Sequence, residues 1–359
     1  MSALIRAVRP LLCLLVICLA VPGQTRPQRP PAAKSPKPAV KPTPAPPTGE
    51  SAKADADASD QPPLSIKTNE VLLPVTVRDA MGRFVPGLKP EAFTILEDGI
   101  RQEISSFAQQ RLPVHVLLMI DTSSSVQREI EDFKSAALEF ANRLGPDDSL
   151  SLIRFDDRIE LVQDWTTSRQ ALRRAMGRLG SGVFTRFHDA MVLAARDQLR
   201  QVHGRRAVIV FTDGVDSQRG RTGPAAALRA LVEAEAPVYV ISKARIQQRM
   251  HLQELDYYEQ NPSGTDIQTT RIKLALEALA SAEKHLVNMV DQTGGRLFLP
   301  QRFEQLADIY QEVADELQNQ YVIFYTPSNQ QRDNRFRATR VKIDCGACHA
   351  TTRFGYYPR

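Results

Sequence analysis

The sequence predicts an α/β protein: a doubly wound, mostly parallel sheet inserted between β segments that form a small β-sandwich. Three observations predict it. Between residues 112 and 320, apolar runs such as "VHVLLMI", "SLSLIRF", "RRAVIVF" and "PVYVIS" alternate with amphipathic stretches. Strands apolar on both faces, with helices between them, make a parallel sheet covered on both sides. Residues 64–110 and 321–359 read instead as short strands separated by Gly, Asn and Asp turns. Finally, the apolar runs end on acids and hydroxyls, at the sheet edge where open α/β folds bind ligands.

The first 23 residues read as a signal peptide. Arg6 and Arg9 precede an apolar stretch at 11–21, and Ala20 and Gly23 offer small residues for cleavage. The stretch is too short to span a bilayer, and bulky Ile17 before Cys18 argues against lipid attachment. Removal would take Cys13 and Cys18 away and leave Cys345 and Cys348 in an oxidising compartment, periplasmic or secreted. Residues 24–63 are expected to be a disordered, extended linker, because half of the 24 prolines fall in residues 22–63. Residues 1–60 carry four of the five net positive charges, so the basic balance belongs to this tail. It does not describe a nucleic-acid-binding face, and no nucleic-acid partner is expected.

Three strands follow in "NEVLLPVTVRD", "AFTILEDG" and "RQEISSF". Strand 114–120 leads into a helix at 126–144, with Ile130, Phe133, Ala137, Leu138 and Phe140 inward and a stop at Gly145-Pro146. Strands at 149–155 and 158–163 flank a turn at Asp156-Asp157. Helices are expected at 168–178 and 186–202, a strand at 205–211, a helix at 223–235 and a strand at 237–242. The connection 243–293 reads as a helical insertion, with helices at 250–258 and 272–289 and a break at "NPSGT". A strand in "GGRLFLP" and a helix at 302–318 complete the α/β region. "NQYVIFYTP", "FRATRVKI" and "TTRFGYYP" are closing strands that could join the N-terminal ones in one sandwich.

Asp121, Ser123 and Ser125 follow the first α/β strand as D-x-S-x-S, a spacing that suits a loop turning three side chains inward. Thr185 opens a helix in "SGVFTRFHDA", and Asp213 ends a strand in "FTDG". Any one of them could be a helix cap or turn residue. Together they are two carboxylates and three hydroxyls, which suits a hard divalent cation, Mg²⁺ or alternatively Mn²⁺ or Ca²⁺. These loops lack the nitrogen and sulfur ligands of a zinc site. Enzyme signatures are missing: there is no G-x-S-x-G elbow and no Walker loop. An aspartyl phosphatase would need a second Asp where Ser123 stands, so no enzyme is expected.

At these residues the chain resembles the von Willebrand factor type A domain family, a Rossmann-like fold, over roughly residues 112–320. The D-x-S-x-S, Thr185 and Asp213 are similar to that family's metal-ion-dependent adhesion site. The segments "VTVRDAMGRFVPGLKPEAFTILEDGIRQEISSF", "DWTTSRQAL", "TGGRLF" and "QYVIFYTP" resemble more narrowly a group of exported bacterial proteins, abundant in acidobacteria. The resemblance implies that Asp121, Ser123, Ser125, Thr185 and Asp213 hold the cation, Ser123 and Ser125 directly. An acidic side chain of a protein partner would fill the open position. The chain departs from the family in one place: Val183 and Phe184 separate Gly182 from Thr185, leaving Ser181 as a fallback donor. Arg186 next to it reads as a solvated helix-start residue.

Cys345, Cys348 and His349 form C-x-x-C-H, the pattern of haem c attachment, and equally of a short disulfide or two free thiols. Its place at a hairpin turn near the end of this sequence argues against haem. The expectation is a divalent-metal-dependent protein-binding module. The alternatives are a c-type haem protein and a structural scaffold with a vestigial metal site.

Overall fold

The computed structural model describes residues 70–108, 112–124, 130–217, 220–262 and 266–358. The expected signal peptide and Pro-rich linker lie outside the described residues, as does Ser125.

The described chain begins with β1 (Val71–Arg78), β2 (Phe93–Glu97), β3 (Ile100–Gln102) and β4 (Ile104–Ala108). "RQEISSF" is thus not one strand. It breaks at Glu103, and its halves join different sheets: β3 pairs with β2, while β4 leaves for the other layer. The corner is pinned by the Gln102 amide. Its Nε2 donates to Ile100 O and Ser328 Oγ, each at 3.1 Å, and its Oε1 accepts the Ser328 N–H at 2.9 Å. A side chain so engaged cannot continue a regular pleat.

The α/β region supplies β5 (Val114–Asp121), β6 (Ser149–Phe155), β7 (Ile159–Thr166), β8 (Arg205–Thr212), β9 (Val238–Ser242) and β10 (Leu297–Phe298). They form one sheet in the order β10-β9-β8-β5-β6-β7, parallel except for the edge strand β7. Helices cover both faces: α1 (Ile130–Arg143), α2 (Arg169–Met176), α3 (Phe187–Leu193), α4 (Pro224–Ala234), α5 (Ala244–Gln260), α6 (Asp266–Thr293) and α7 (Leu306–Asn319). The period-two alternation of β5 divides its side chains between two cores. Val116, Leu118 and Ile120 pack with α1, α2 and α7, whereas Leu117 and Met119 pack with α3, α4 and α6.

Two helices differ from the sequence expectation. The helix read across 186–202 keeps α-geometry only to Leu193 and then continues in wider and tighter turns. There Gln198 turns inward: its Nε2 donates to Ser151 Oγ and Asp164 Oδ1, and its carbonyl accepts the Trp165 Nε1–H at 3.3 Å. Such a bulge draws a side chain to the sheet at the expense of regular backbone bonds. The insertion is a helical hairpin, α5 and α6, and α5 starts right at the end of β9 rather than near residue 250.

The chain then returns through β11 (Tyr321–Tyr325), β12 (Arg337–Ile343), β13 (His349–Thr351) and β14 (Gly355–Tyr356). Two four-stranded sheets result, β13-β1-β11-β4 and β14-β12-β2-β3. Each mixes strands from the two ends of the described chain, and Leu73, Val75, Ile95, Tyr321, Ile323 and Tyr325 share one core between them. Buried Glu316 of α7 joins this sandwich to the α/β layers. It accepts from Thr76, Arg78 and Tyr239 at 3.0, 2.5 and 3.1 Å. Among the described residues no helix is long and apolar enough to cross a membrane.

Candidate functional site

The parallel sheet delivers the ends of β5, β8 and β9 to one edge. Asp121 is the last residue of β5 and is wholly buried, paired across the ladder with Phe155. Its Oδ1 accepts the Ser123 N–H at 3.0 Å, and its Oδ2 accepts the Thr212 hydroxyl at 2.8 Å. Both oxygens are therefore oriented by the protein. Thr122 donates its hydroxyl to Asp156 Oδ2 at 2.7 Å, and Ser124 Oγ bonds Val183 O at 3.2 Å. Ser123 is buried and Ser124 exposed.

The second loop is fastened to the first by its backbone. Gly182 N–H donates to Thr122 O at 2.9 Å, and Arg186 N–H to Asp156 O at 3.0 Å. Val183 N–H donates to Asp157 Oδ1 at 3.2 Å. The glycine is required because a Cβ at Gly182 would overlap the Asp156 and Asp157 carboxylates. The two residues that depart from the family pattern point outward: Val183 is 63% and Phe184 50% exposed. Thr185 turns in, only 4% exposed, while Ser181 stays on the exposed rim. Arg186 pairs with Asp189 at 2.6 Å, in keeping with its reading as a helix-start residue.

The third loop follows β8. Asp213 is 5% exposed, and its Oδ1 accepts the Val215 N–H at 2.9 Å. Thr212 Oγ1 bridges this loop and the first, accepting the Gly214 N–H at 3.0 Å while donating to Asp121. Gly214 has φ of +79°, and a Cβ there would lie 2.7 Å from Leu286 of α6. Ser217 Oγ accepts the Thr185 N–H at 2.8 Å, which closes the ring of three loops.

Sequence reasoning missed two members of this cluster. Asp156 is the buttress under the first two loops, held by Arg154 at 2.8 Å. Lys243 directly follows β9, is 1% exposed, and places Nζ 3.6 Å from Asp213 Oδ2. A lysine immediately after a buried strand, on the ligand-binding edge, was the available signal. Burial and the negative charge of Asp213 push the Asp121 carboxyl up to about 6, against the opposing pull of Lys243 and Ser123. Among the described residues no group of three or more His, Cys, Asp and Glu side chains is placed to hold a metal. A cation at these loops would depend on hydroxyls beside two carboxylates, a hard donor set that fits Mg²⁺ or Mn²⁺ better than zinc.

The strand order, the covering helices and the three-loop edge define a von Willebrand factor type A fold. Residues 116–215 match the family model of the von Willebrand factor type A domain. The chain is 32% identical over 109 residues to the uncharacterized protein sll0103 of Synechocystis sp., an alignment covering 29% of this chain and 26% of that protein. It thus matches only about a quarter of that relative's length. Among solved structures, a von Willebrand factor type A protein from Catenulispora acidiphila aligns over 81% of this chain and 75% of its own, at 12% identity and a TM-score of 0.44. Proximal thread matrix protein 1 from the mussel byssus aligns over 68% of this chain and 50% of its own, at 14% identity and a TM-score of 0.42.

Far along the chain, Cys345 and Cys348 are joined as a disulfide between β12 and β13. His349 is exposed at the start of β13.

Proposed function

We propose that the chain is an exported, divalent-cation-dependent protein-binding module rather than an enzyme. The observation that supports it best is the hydrogen-bonded ring of three loops, which gathers buried Asp121, Ser123, Thr185 and Asp213 at the carboxyl edge of the sheet. With Ser125, these residues would hold Mg²⁺, Mn²⁺ or Ca²⁺, as the family resemblance implies. The bound cation would offer a Lewis-acid vertex to a carboxylate of a partner protein. Asp121 supplies charge and fixes the first loop, Thr212 locks it to the third, and Asp156 holds it against the second. Exposed Val183 and Phe184 give the rim an apolar contact for the same partner. The disulfide supports export, since such bonds persist in oxidising compartments. The more specific kinship, to exported acidobacterial proteins, belongs to this reading as well.

Isothermal titration with Mg²⁺ and Mn²⁺ tests the metal. The chain should bind in a saturable manner and Asp121→Ala should not; identical traces would remove the site. A pulldown from envelope extract, with and without chelator, tests the partner: chelator should release whatever is retained through the site. A second reading, a scaffold with a vestigial metal site, is favoured by the Lys243 ammonium beside Asp213. It predicts no saturable titration at all.

A further inference from the structure

We propose that the Cys345–Cys348 disulfide is a thiol–disulfide exchange site, reduced and reoxidised by thiol compounds, rather than a structural cross-link. The bond sits where the chain crosses from one sheet of the sandwich to the other, and that corner is held without it. On one side, β12 pairs with β2 as far as Ile343 opposite Phe93, and the Asp344 N–H donates to Ala92 O at 2.9 Å. On the other, β13 pairs with β1 from His349 opposite Arg78 onward. The disulfide closes a ring over Gly346 and Ala347 alone. So short a ring removes little freedom from the unfolded chain, because that contribution grows with the length of loop closed. The bond therefore adds little to a turn that two ladders already fix.

The bond is also within reach of a reagent. Cys345 and Cys348 are partly buried, with one side against the sandwich core, while Gly346 and Ala347 between them are exposed. Gly346 has φ of +70°, and no atom lies within 4 Å of where its Cβ would be, so the outer side of the turn is open. The reduced state has an acceptor in place: Cys348 Sγ lies 3.0 Å from Cys345 O, to which a Cys348 thiol would donate. Exchange then runs in two steps. A thiolate attacks Cys345 Sγ and forms a mixed disulfide with it. The Cys345–Cys348 bond breaks, and Cys348 leaves with the electron pair and takes a proton from solvent. A second thiolate attacks the reagent's sulfur in the mixed disulfide and frees Cys345, which is protonated in turn. Two electrons pass to the chain, and two thiols become one disulfide. An oxidised thiol compound reverses the sequence.

The test uses the full chain, with glutathione as probe at neutral pH. After equilibration and alkylation of free thiols, mass spectrometry of the tryptic peptide 343–353 reads Cys345 and Cys348 apart from Cys13 and Cys18. In about 10 mM reduced and about 0.1 mM oxidised glutathione, at least about half of that peptide should be reduced, whether the chain starts oxidised or reduced. A structural disulfide would stay about 99% oxidised in the same buffer. The far-ultraviolet circular dichroism spectrum should be the same in both states. The double variant Cys345→Ser with Cys348→Ser, which cannot form the bond, should share it. A peptide that ends about 99% oxidised from both starting points would overturn the proposal. So would loss of the folded spectrum on reduction or in the double variant, since the bond would then be a structural cross-link.

Discussion

Glu316 of α7 and Arg78 of β1 form a buried ion pair at 2.5 Å, and it spans the join between the α/β layers and the sandwich. The Glu316 side chain is 1% exposed, and its Oε1 also serves Thr76 and Tyr239. Removing the acid strands several donors at once. Glu316→Ala should lose about 3–5 kcal/mol of stability in urea denaturation. The double variant Glu316→Met with Arg78→Met should recover part of that loss, because neither charge is then buried alone although the Thr76 and Tyr239 hydroxyls still lose their acceptor. A loss below about 1 kcal/mol in the single variant would mean the join does not depend on this pair.

Gly182 touches the carboxylates that support the first site loop. Asp156 has no freedom to retreat, since Arg154 and Thr122 both bond its Oδ2. Gly182→Ala should therefore destabilise the chain by about 1–3 kcal/mol. It should also weaken Mn²⁺ binding, because the strain falls on the segment that carries Thr185. Ala at Gly204, which has φ of +85° and open space around it, provides a strained comparison away from the site. It should lose stability but keep Mn²⁺ affinity. Equal affinities for the two variants would detach the second loop from the site.

Burial holds the hydroxyls of Tyr239, Tyr310, Tyr325 and Tyr356 above the ordinary value of 10.0. A group whose pKa is raised on folding stabilises fully below its unfolded value and ceases to do so as pH rises past it. Stability should thus fall from about pH 10 upward. Tyr310 separates this effect from others, because its hydroxyl is buried without a hydrogen-bond partner. Tyr310→Phe should gain about 1 kcal/mol at neutral pH and flatten the alkaline decline. Urea melts at neutral pH and above pH 10 would show it, and a destabilised variant at neutral pH would contradict it.

The central sheet was legible because its strands are apolar on both faces, a pattern that amphipathic helices do not imitate over such short runs. Asp121 and Asp213 were legible because acids that end such runs stand out. Asp156 and Lys243 were not. The pair Asp156-Asp157 satisfies every local rule for a hairpin turn, and nothing local reveals that one of them reaches across to Thr122. Lys243 was absorbed into a helical insertion whose first helix was set to start too late, so its position between strand end and helix went unused. The split of "RQEISSF" was hidden for a similar reason: the residue that forces it, Gln102, is engaged by Ser328, distant in the chain. The expectations that failed depended on such partners, about which periodicity says nothing.

The sandwich has a consequence for synthesis on the ribosome. Glu97 accepts from Tyr356, 259 residues later, and Asp98 bonds Ala338, 240 residues later. β1 and β4 therefore wait for β11, and the β2–β3 hairpin for β12, while the whole intervening sheet is made and can close on its own helices. β11 to β14, made after that sheet, release them from that state. Nascent chains stalled before residue 321 should carry a finished interior and an open, adhesive first half, which makes the closing strands the step at which aggregation is decided.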